Sequence, residues 1–429
     1  MSVLSFHGNK LLPLAADSLA DAPTAVRDAP QNFSCFNPAL LPQRDHQSRA
    51  ASLLLFRVSN MHFCGMRTSW RDSMRLQTHI RSYIAYTELD TDSPGSTELR
   101  SIPRFLPESA TLFRAHGDTC KQWVDAGEGV LGTFSGPEDP RPFWSPKPHH
   151  APWLLTSAWT DDCQRLRMHL IKLPSQHALW ADSASDISPQ TIQLPLVVTS
   201  WPEAAPMAHP EAEPHQKNWL PFVTRAGELM VQYSIEPHVV LSIDVATGRC
   251  VPLSTGGAII GGGGESFASF QPLASLARKY GRISGGAAPL HLPSYSLYLG
   301  LAHLKEERQT PHHLGTARMV YRHIFYAFRD VFPFEMVAAG PPFVFPESLA
   351  LESSTSQETS IRTGRDDSRR DVGSSSSTDG IGSTVQFAAG MALSSDETEL
   401  IISYSTLDCG ARLTRVSLDA VLSDIAVAW

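Results

Sequence analysis

Residues 136–162, GPEDPRPFWSPKPHHAPWLLTSAWTDD, carry two signals a short distance apart. The first is a charged turn, Glu138-Asp139-Pro140-Arg141, in which Pro140 restricts the backbone and two carboxyl groups stand just before an extended run. The second is PWLLTSAW, apolar and aromatic over eight residues and closed by polar Thr-Asp-Asp, which reads as a strand. The same pairing recurs along the chain. Phe36-Asn37-Pro38 precedes LLLFRVSN, and Lys217-Asn218-Trp219 precedes LMVQYSIEPH. Gly285-Gly286 precedes LYLGLAH, and Phe387-Ala388-Ala389-Gly390 precedes LIISYSTLD. The offsets are alike: 37 to 57, 139 to 157, 218 to 233, 286 to 303 and 387 to 404. Five such units at uneven intervals make a divergent repeat.

Between the paired motifs lie further short runs of β-branched and aromatic residues bounded by turn formers, such as RSYIAYTEL, RLRMHLIKL, HVVLSIDV, VYRHIFYAF and ARLTRVSL. Helical periodicity is confined to 266–280 and 418–425. The reading is all-β. Radial repetition of four-stranded sheets is the architecture of a β-propeller, and five units predict five blades with short peripheral helices. The start of each innermost strand would face the central channel, so the five lead-in motifs would converge on one axial pocket. A pair of β-sandwiches, the rival architecture, gives no reason for five paired motifs.

Composition agrees with a folded, turn-rich chain. Hydrophobic residues make up 42% of the 429, while charged residues are only 18%, which disfavours a coiled coil. The net charge of −8 and the lack of a basic stripe disfavour a nucleic-acid binder held by counterion release. No apolar run reaches the length of a membrane span. The first residues lack a basic n-region, and the six cysteines form no CxxC pair, so a reducing, cytoplasmic setting without a structural zinc is expected. Residues 1–30 read as a loose N-terminal arm, 31–429 as the propeller, and the polar stretch 353–383 as a disordered insertion in its last part. Trp201–Pro214 reads as an irregular surface loop.

At the lead-in motifs the chain resembles glycoside hydrolase family 130, the β-mannoside phosphorylases, and the related β-1,2-mannosyltransferases. The matching pieces are FNPAL, GPEDPR, QKNWLPF, SGGAAPL, GLAH and ISYSTLD, scattered over about residues 33–425. KNWLPF and YSIEPHVVL are most similar to a eukaryotic branch of that group. The chain departs from the family in its fourth unit, GGAAPL, where a more proline-rich run is usual, and in its fifth, SYSTLD, where a glycine follows the tyrosine.

The resemblance implies a five-bladed propeller acting on β-mannosides or related glycosides, by inverting phosphorolysis or glycosyl transfer. Asp139 would be the general acid, since breaking or forming a glycosidic bond requires a proton at the bridging oxygen. A carboxyl group enclosed in a pocket is expected to have a raised pKa for that work. Arg141 is expected on the same strand face as Asp139 and can grip a phosphate with its fork, unless it pairs with Glu138 instead. Lys217 offers a point cation, and Asn218 a donor and an acceptor for sugar hydroxyls. By resemblance His303 and Tyr321 contact phosphate and Asp408 contacts sugar. Asn37, Arg57 and Glu138 would serve the same pocket. Trp219 would either stack on a sugar or pack between blades.

Arg141, Lys217, His303 and Tyr321 thus form the expected phosphate-binding set. A hydrolase would instead need a carboxylate base about 6.5–9.5 Å from the acid, for which Glu138, Glu236 and Asp408 are the candidates. The mechanism needs no metal or organic cofactor, with inorganic phosphate or a sugar phosphate as substrate and a small oligosaccharide as partner. The alternatives are a glycosyltransferase using a nucleotide-activated sugar and a non-catalytic glycan-binding propeller. Gly261–Gly264 lacks the GK[ST] of a phosphate loop, and the pairs His149-His150 and His312-His313 read as solvated loops.

Overall fold

The computed structural model describes residues 4–14, 16, 20, 22–30, 33–41, 51–60, 79–90, 99–106, 133–145, 151–159, 165–173, 193–199, 201, 209–213, 215–253, 269–309, 317–345, 385–406 and 410–426. The stretch 353–383, the glycine run 261–264, both His-His pairs and Asp408 lie outside the described residues.

The chain opens with β1 (His7–Leu11) and the short α1 (Thr24–Asp28). Blade 1 follows as β2 (Ser34–Leu41), β3 (Ala51–Ser59), β4 (His79–Asp90) and β5 (Arg104–Phe105), with β6 (Thr133–Ser135) pairing β4. Blade 2 is β7 (Glu138–Trp144), β8 (Pro152–Trp159), β9 (Leu166–Lys172) and β10 (Gln193–Pro195). Blade 3 is β11 (Val197–Val198), β12 (Leu220–Val223), β13 (Leu229–Ser234), β14 (Val239–Ile243) and β15 (Arg249–Leu253). After α2 (Gln271–Tyr280) come β16 (Ile283–Leu292), β17 (Leu297–Gln309), β18 (Ala317–Arg329) and β19 (Met336–Ala339) of blade 4. Blade 5 is β20 (Gln386–Leu393), β21 (Glu399–Thr406) and β22 (Gly410–Ser417), followed by α3 (Leu418–Ala426).

These sheets form a five-bladed β-propeller. The innermost strands β2, β7, β12, β16 and β20 touch one another in a closed ring, each against the next and β20 against β2. All ten strand-like runs of the sequence are strands, and the lead-in motifs of blades 1, 2, 4 and 5 lie at the starts of inner strands, with Lys217-Asn218-Trp219 just ahead of β12.

The apolar runs are continuous because both faces of each blade are buried. Side chains alternate across a strand. In β3, Leu54, Phe56 and Val58 pack with Ile401 and Leu413 of blade 5, while Leu53 and Leu55 pack with Leu154 and Ile171 of blade 2. In β8, Leu155 turns the other way, toward Val231 and Leu241 of blade 3. Met230 of β13 then faces Ile324 and Tyr326 of blade 4, and Leu301 of β17 faces Ile402 of blade 5. Five inter-blade cores close the ring. Each buried Leu, Ile or Phe contributes about 1.5–3 kcal/mol of transfer free energy, so the joints hold the blades.

The stretch read as a loose N-terminal arm contains the closing strand. β1 pairs antiparallel with β22, and the amide of Leu12 donates to the carbonyl of Ala411 at 2.8 Å. Leu12, Ala16 and Val26 enter the core between blades 5 and 1. HGNKL has one apolar residue in five, so the pattern gave no strand signal. It forms because the edge of β22 offers unpaired backbone groups that need partners. Within 201–214, the described residues include a single 3-10 turn, Pro210–Ala212. Among the described residues no helix is long and apolar enough to cross a membrane.

Candidate active site

The inner strands break their regular register where the lead-in motifs stand. Bulges fall between Phe36 and Ala39, Glu138 and Arg141, Gly285 and Ala287, and Ala388 and Gly390. Asn37, Asp139 and Asn218 take left-handed backbone conformations, with φ of 50°, 51° and 63°. Asn and Asp tolerate this region better than other side-chain-bearing residues, but it still costs free energy and clusters at functional sites. The bulges kink β2 and β7 and bring the side chains of Asn37 and Asp139 together, while Asn218, just ahead of the regular β12, reaches Arg141.

Asp139 is the centre of the group. Its Oδ1 accepts from Asn37 Nδ2 at 2.7 Å and lies 3.6 Å from Arg57 Nη1. Arg57 also reaches Glu138 Oε1 at 3.5 Å through Nη2. Arg57 is buried, donates from Nε to Ser82 Oγ at 2.9 Å and lies over the Phe36 ring at 5.3 Å. Glu138 is held by its backbone as well, its carbonyl accepting from Thr156 Oγ1 at 2.6 Å.

Arg141 is fully buried but does not pair with Glu138. The bulge breaks simple alternation, and its guanidinium folds back along its own strand. Nη1 donates to the carbonyls of Asp139 and Pro140 at 3.1 and 3.4 Å, and Nη2 reaches Asn218 Oδ1 at 3.5 Å. Its plane lies over Phe387 of blade 5 at 5.2 Å, and its buried Nε has no hydrogen-bond partner among the described residues. A buried donor left open in this way is costly, and an anion would satisfy it.

His303 closes the same wall. It is 1% exposed, yet neither ring nitrogen has a hydrogen-bond partner among the described residues. Its ring stacks on Tyr321 at 5.0 Å and meets Phe387 edge-on at 5.2 Å. Burial, and then the charges of Lys305, His323, Arg141 and Lys217, hold it well below the ordinary imidazole value. His303 is therefore neutral at pH 7, one nitrogen a donor and the other an acceptor. Lys217 is exposed, at the rim.

The pKa of Asp139 differs from the sequence expectation. Burial pushes it up, but Arg57, Arg141, Lys217 and the Asn37 hydrogen bond outweigh burial and hold it below the usual 3.8. The carboxyl is ionised in the unliganded protein, whereas a general acid at neutral pH would need the opposite shift.

Of the ten residues anticipated from sequence, Asn37, Arg57, Glu138, Asp139, Arg141, Lys217, Asn218, His303 and Tyr321 are drawn together through these contacts and charges. Asp408 lies outside the described residues. Trp219 is 1% exposed and packs edge-on against Tyr233, so it is core between blades 2 and 3, not a sugar platform. Glu236 is committed elsewhere: Oε2 accepts from the amide of Phe270 at 3.1 Å and Oε1 from the Ser269 hydroxyl, anchoring the start of α2. His238 is buried against Phe328. Sequence reasoning missed Lys305, whose ammonium lies 5.5 Å over the Tyr321 ring. Its position two residues beyond His303 on β17 was the available signal, since alternate residues share a strand face.

No family model and no curated protein matches this chain. Among solved structures it is similar to a β-1,2-mannobiose phosphorylase from Listeria innocua, at 13% identity and TM-score 0.46, with 92% of this chain and 94% of that one covered. A glycosyl hydrolase from Bacteroides ovatus is similar at 13% identity and TM-score 0.46, covering 90% and 85%. A mannose phosphorylase from Leishmania mexicana, MPT-4, in complex with phosphate ion, is similar at 10% identity and TM-score 0.41, covering 90% and 85%.

Proposed function

We propose that the chain is a carbohydrate-active enzyme that transfers a glycosyl group, mannosyl by sequence resemblance, between phosphate and a sugar hydroxyl with inversion. One observation carries the reading: a partly buried, ionised carboxylate, Asp139, stands among cations next to donors that have no acceptor among the described residues. Arg57, Arg141 and Lys217 face Asp139, Arg57 also reaches Glu138, and Lys305 adds its charge beside His303. These cations suit a doubly charged phosphate group. The buried Arg141 Nε and the neutral His303 ring are the donors that such a group would engage.

In the direction of chain growth the ionised Asp139 accepts the proton of the acceptor hydroxyl. The acceptor oxygen forms its bond to the anomeric carbon while the bond from that carbon to phosphate oxygen breaks, and phosphate leaves toward Arg141, Lys217 and His303. In the reverse direction, phosphate bound at Arg141 and Lys217 offsets the positive field at Asp139. Its carboxyl then gains a proton more readily and returns it to the departing sugar oxygen. Glu236 is unsuited as a hydrolytic base, since it is bound to the start of α2.

The test is incubation of the purified protein with mannose 1-phosphate and a panel of sugar acceptors, reading free phosphate and product chain length. Phosphate release coupled to chain growth is the expected result. Turnover only with a nucleotide-activated mannose would replace this reading with nucleotide-sugar-dependent transfer. Sugar binding without turnover of either donor would leave a glycan-binding module.

A further inference from the structure

Ser403 and Ser405 are alternate residues of β21, both fully buried, and both reach across the joint from blade 5 into blade 1. Ser403 Oγ donates to the backbone carbonyl of Pro38 at 2.6 Å. Ser405 Oγ donates to Asn37 Oδ1, also at 2.6 Å. The other end of that amide, Nδ2, donates to Asp139 Oδ1 at 2.7 Å. Three blades therefore meet in one chain of hydrogen bonds that ends on the carboxylate, and only the second serine is in line with it.

We propose that Ser405 is a positioning residue for Asp139: its hydroxyl fixes which end of the Asn37 amide faces the carboxylate. The inference rests on the reading of Asp139 as the group that takes and returns the proton. The two ends of an Asn amide are nearly equal in size and opposite in hydrogen-bonding sense. A carboxylate only accepts, so it is served by the NH2 end; the carbonyl end would set two acceptors against each other. By donating to Oδ1, Ser405 holds the arrangement that serves the carboxylate. A hydroxyl can also accept. When Asp139 takes up a proton, the same three residues keep their bonds if the amide turns over. The Asp139 O–H then donates to Oδ1, and Nδ2 donates to Ser405 Oγ. The relay fits both protonation states of a group that alternates between them in one turnover.

The charged groups that face Asp139 are Arg57 from β3, Glu138 and Arg141 from β7, and Lys217 ahead of β12. These act whichever way the amide lies, so removing the serine hydroxyl shifts the carboxyl without abolishing the effect of the cations.

Ser405→Ala is the test, with Ser403→Ala as the control. Ser403 makes the same kind of joint contact but touches only backbone. The readout is the pH titration of the Asp139 side-chain carboxyl by 13C NMR, assigned by the signal lost in Asp139→Asn, and it needs no substrate. Ser405→Ala is expected to move the titration upward by about half a pH unit or more, and the pH profile of turnover with it. Ser403→Ala is expected to lower the melting temperature and leave the titration in place. If Ser405→Ala does not fold, Ser405→Cys keeps the volume with a weaker donor, and a smaller upward shift is expected. A titration unchanged in the folded Ser405 variant, or moved equally by Ser403→Ala, overturns the proposal. Normal turnover by Asp139→Asn would instead overturn the functional reading, and the titration would still decide the role of Ser405.

Discussion

Asn37 and Asp139 are 102 residues apart in the chain, and their side chains meet at 2.7 Å. Both sit in left-handed backbone at a bulge of an innermost strand, one in blade 1 and one in blade 2. The contact exists because the inner strands of neighbouring blades 1 and 2 pack against each other, and it puts a charge-assisted hydrogen bond on the carboxylate.

Asp139→Asn preserves the shape of the side chain and removes both its charge and its capacity to carry the proton. Loss of general acid–base work is expected to lower kcat by about 100- to 10,000-fold, measured as phosphate release from mannose 1-phosphate. A near-normal kcat in the folded variant would remove Asp139 from the chemistry.

Arg141 and Lys217 are expected to separate stability from binding. Arg141→Ala strips a buried guanidinium from two carbonyls, Asn218 and the Phe387 ring, so both phosphate affinity and melting temperature fall. Lys217→Ala removes an exposed charge at the rim. Phosphate affinity measured by calorimetry should drop and lose salt sensitivity, while the melting temperature stays within about 1–2 °C of wild type.

Acid destabilises the fold through its buried histidines. Burial holds His238 and His323 at about 3, and burial followed by Lys305, His323, Arg141 and Lys217 holds His303 well below 6.5. In the unfolded chain all three take up protons near 6.5. Below that pH the unfolded state binds more protons than the folded one, so stability falls from about pH 6.5 downward toward 3. Asp139 adds a loss at lower pH, because its folded value is depressed: its contribution is complete above 3.8 and vanishes as pH falls through the folded value. The urea midpoint should be lower at pH 5 than at pH 7, and the difference should shrink in His323→Phe, whose ring can keep the contact with Phe345. Equal midpoints at the two pH values would contradict this.

Gly390 lies where blade 5 abuts blade 1. A Cβ there would meet Ala39 Cα at 2.9 Å, and the Leu40 amide nitrogen nearer still. Backbone cannot step aside as a side-chain tip does, so Gly390→Ala is expected to cost about 1–3 kcal/mol in chemical denaturation. Stability equal to wild type would mean that the joint is looser than these contacts require.

Removal of the residues up to Leu11 takes away β1 and bares the edge of β22. The melting temperature should fall, and self-association seen by light scattering should rise, because an unpaired edge recruits other strands. A truncated chain that melts and scatters like the full one would show that blade 5 closes without its fourth strand.

The fold was legible because its signal is local and repeated. The side chains of LLLFRVSN divide between the joints on either side of blade 1, so a two-sided strand leaves an unbroken apolar run in the sequence. The closing strand was not legible: HGNKL pairs by backbone, and backbone pairing leaves no side-chain pattern. The site was partly legible. Asn37 and Asp139 each precede a proline, in types that tolerate left-handed backbone, and so they marked two of the bulges. Ser405 sat unnoticed in ISYSTLD, because a serine in a strand carries no sign of what it will touch.

What the sequence determined by itself is the ten strand runs and the five lead-in motifs, which follow from periodicity and backbone preference acting over a few residues. The tertiary structure alone decided the charge state of Asp139, the partners of Arg57 and the burial of the His303 ring without a hydrogen-bond partner among the described residues. Each depends on groups from different blades and on how much water their meeting excludes, and neither distance nor burial is written in the order of residues along the chain.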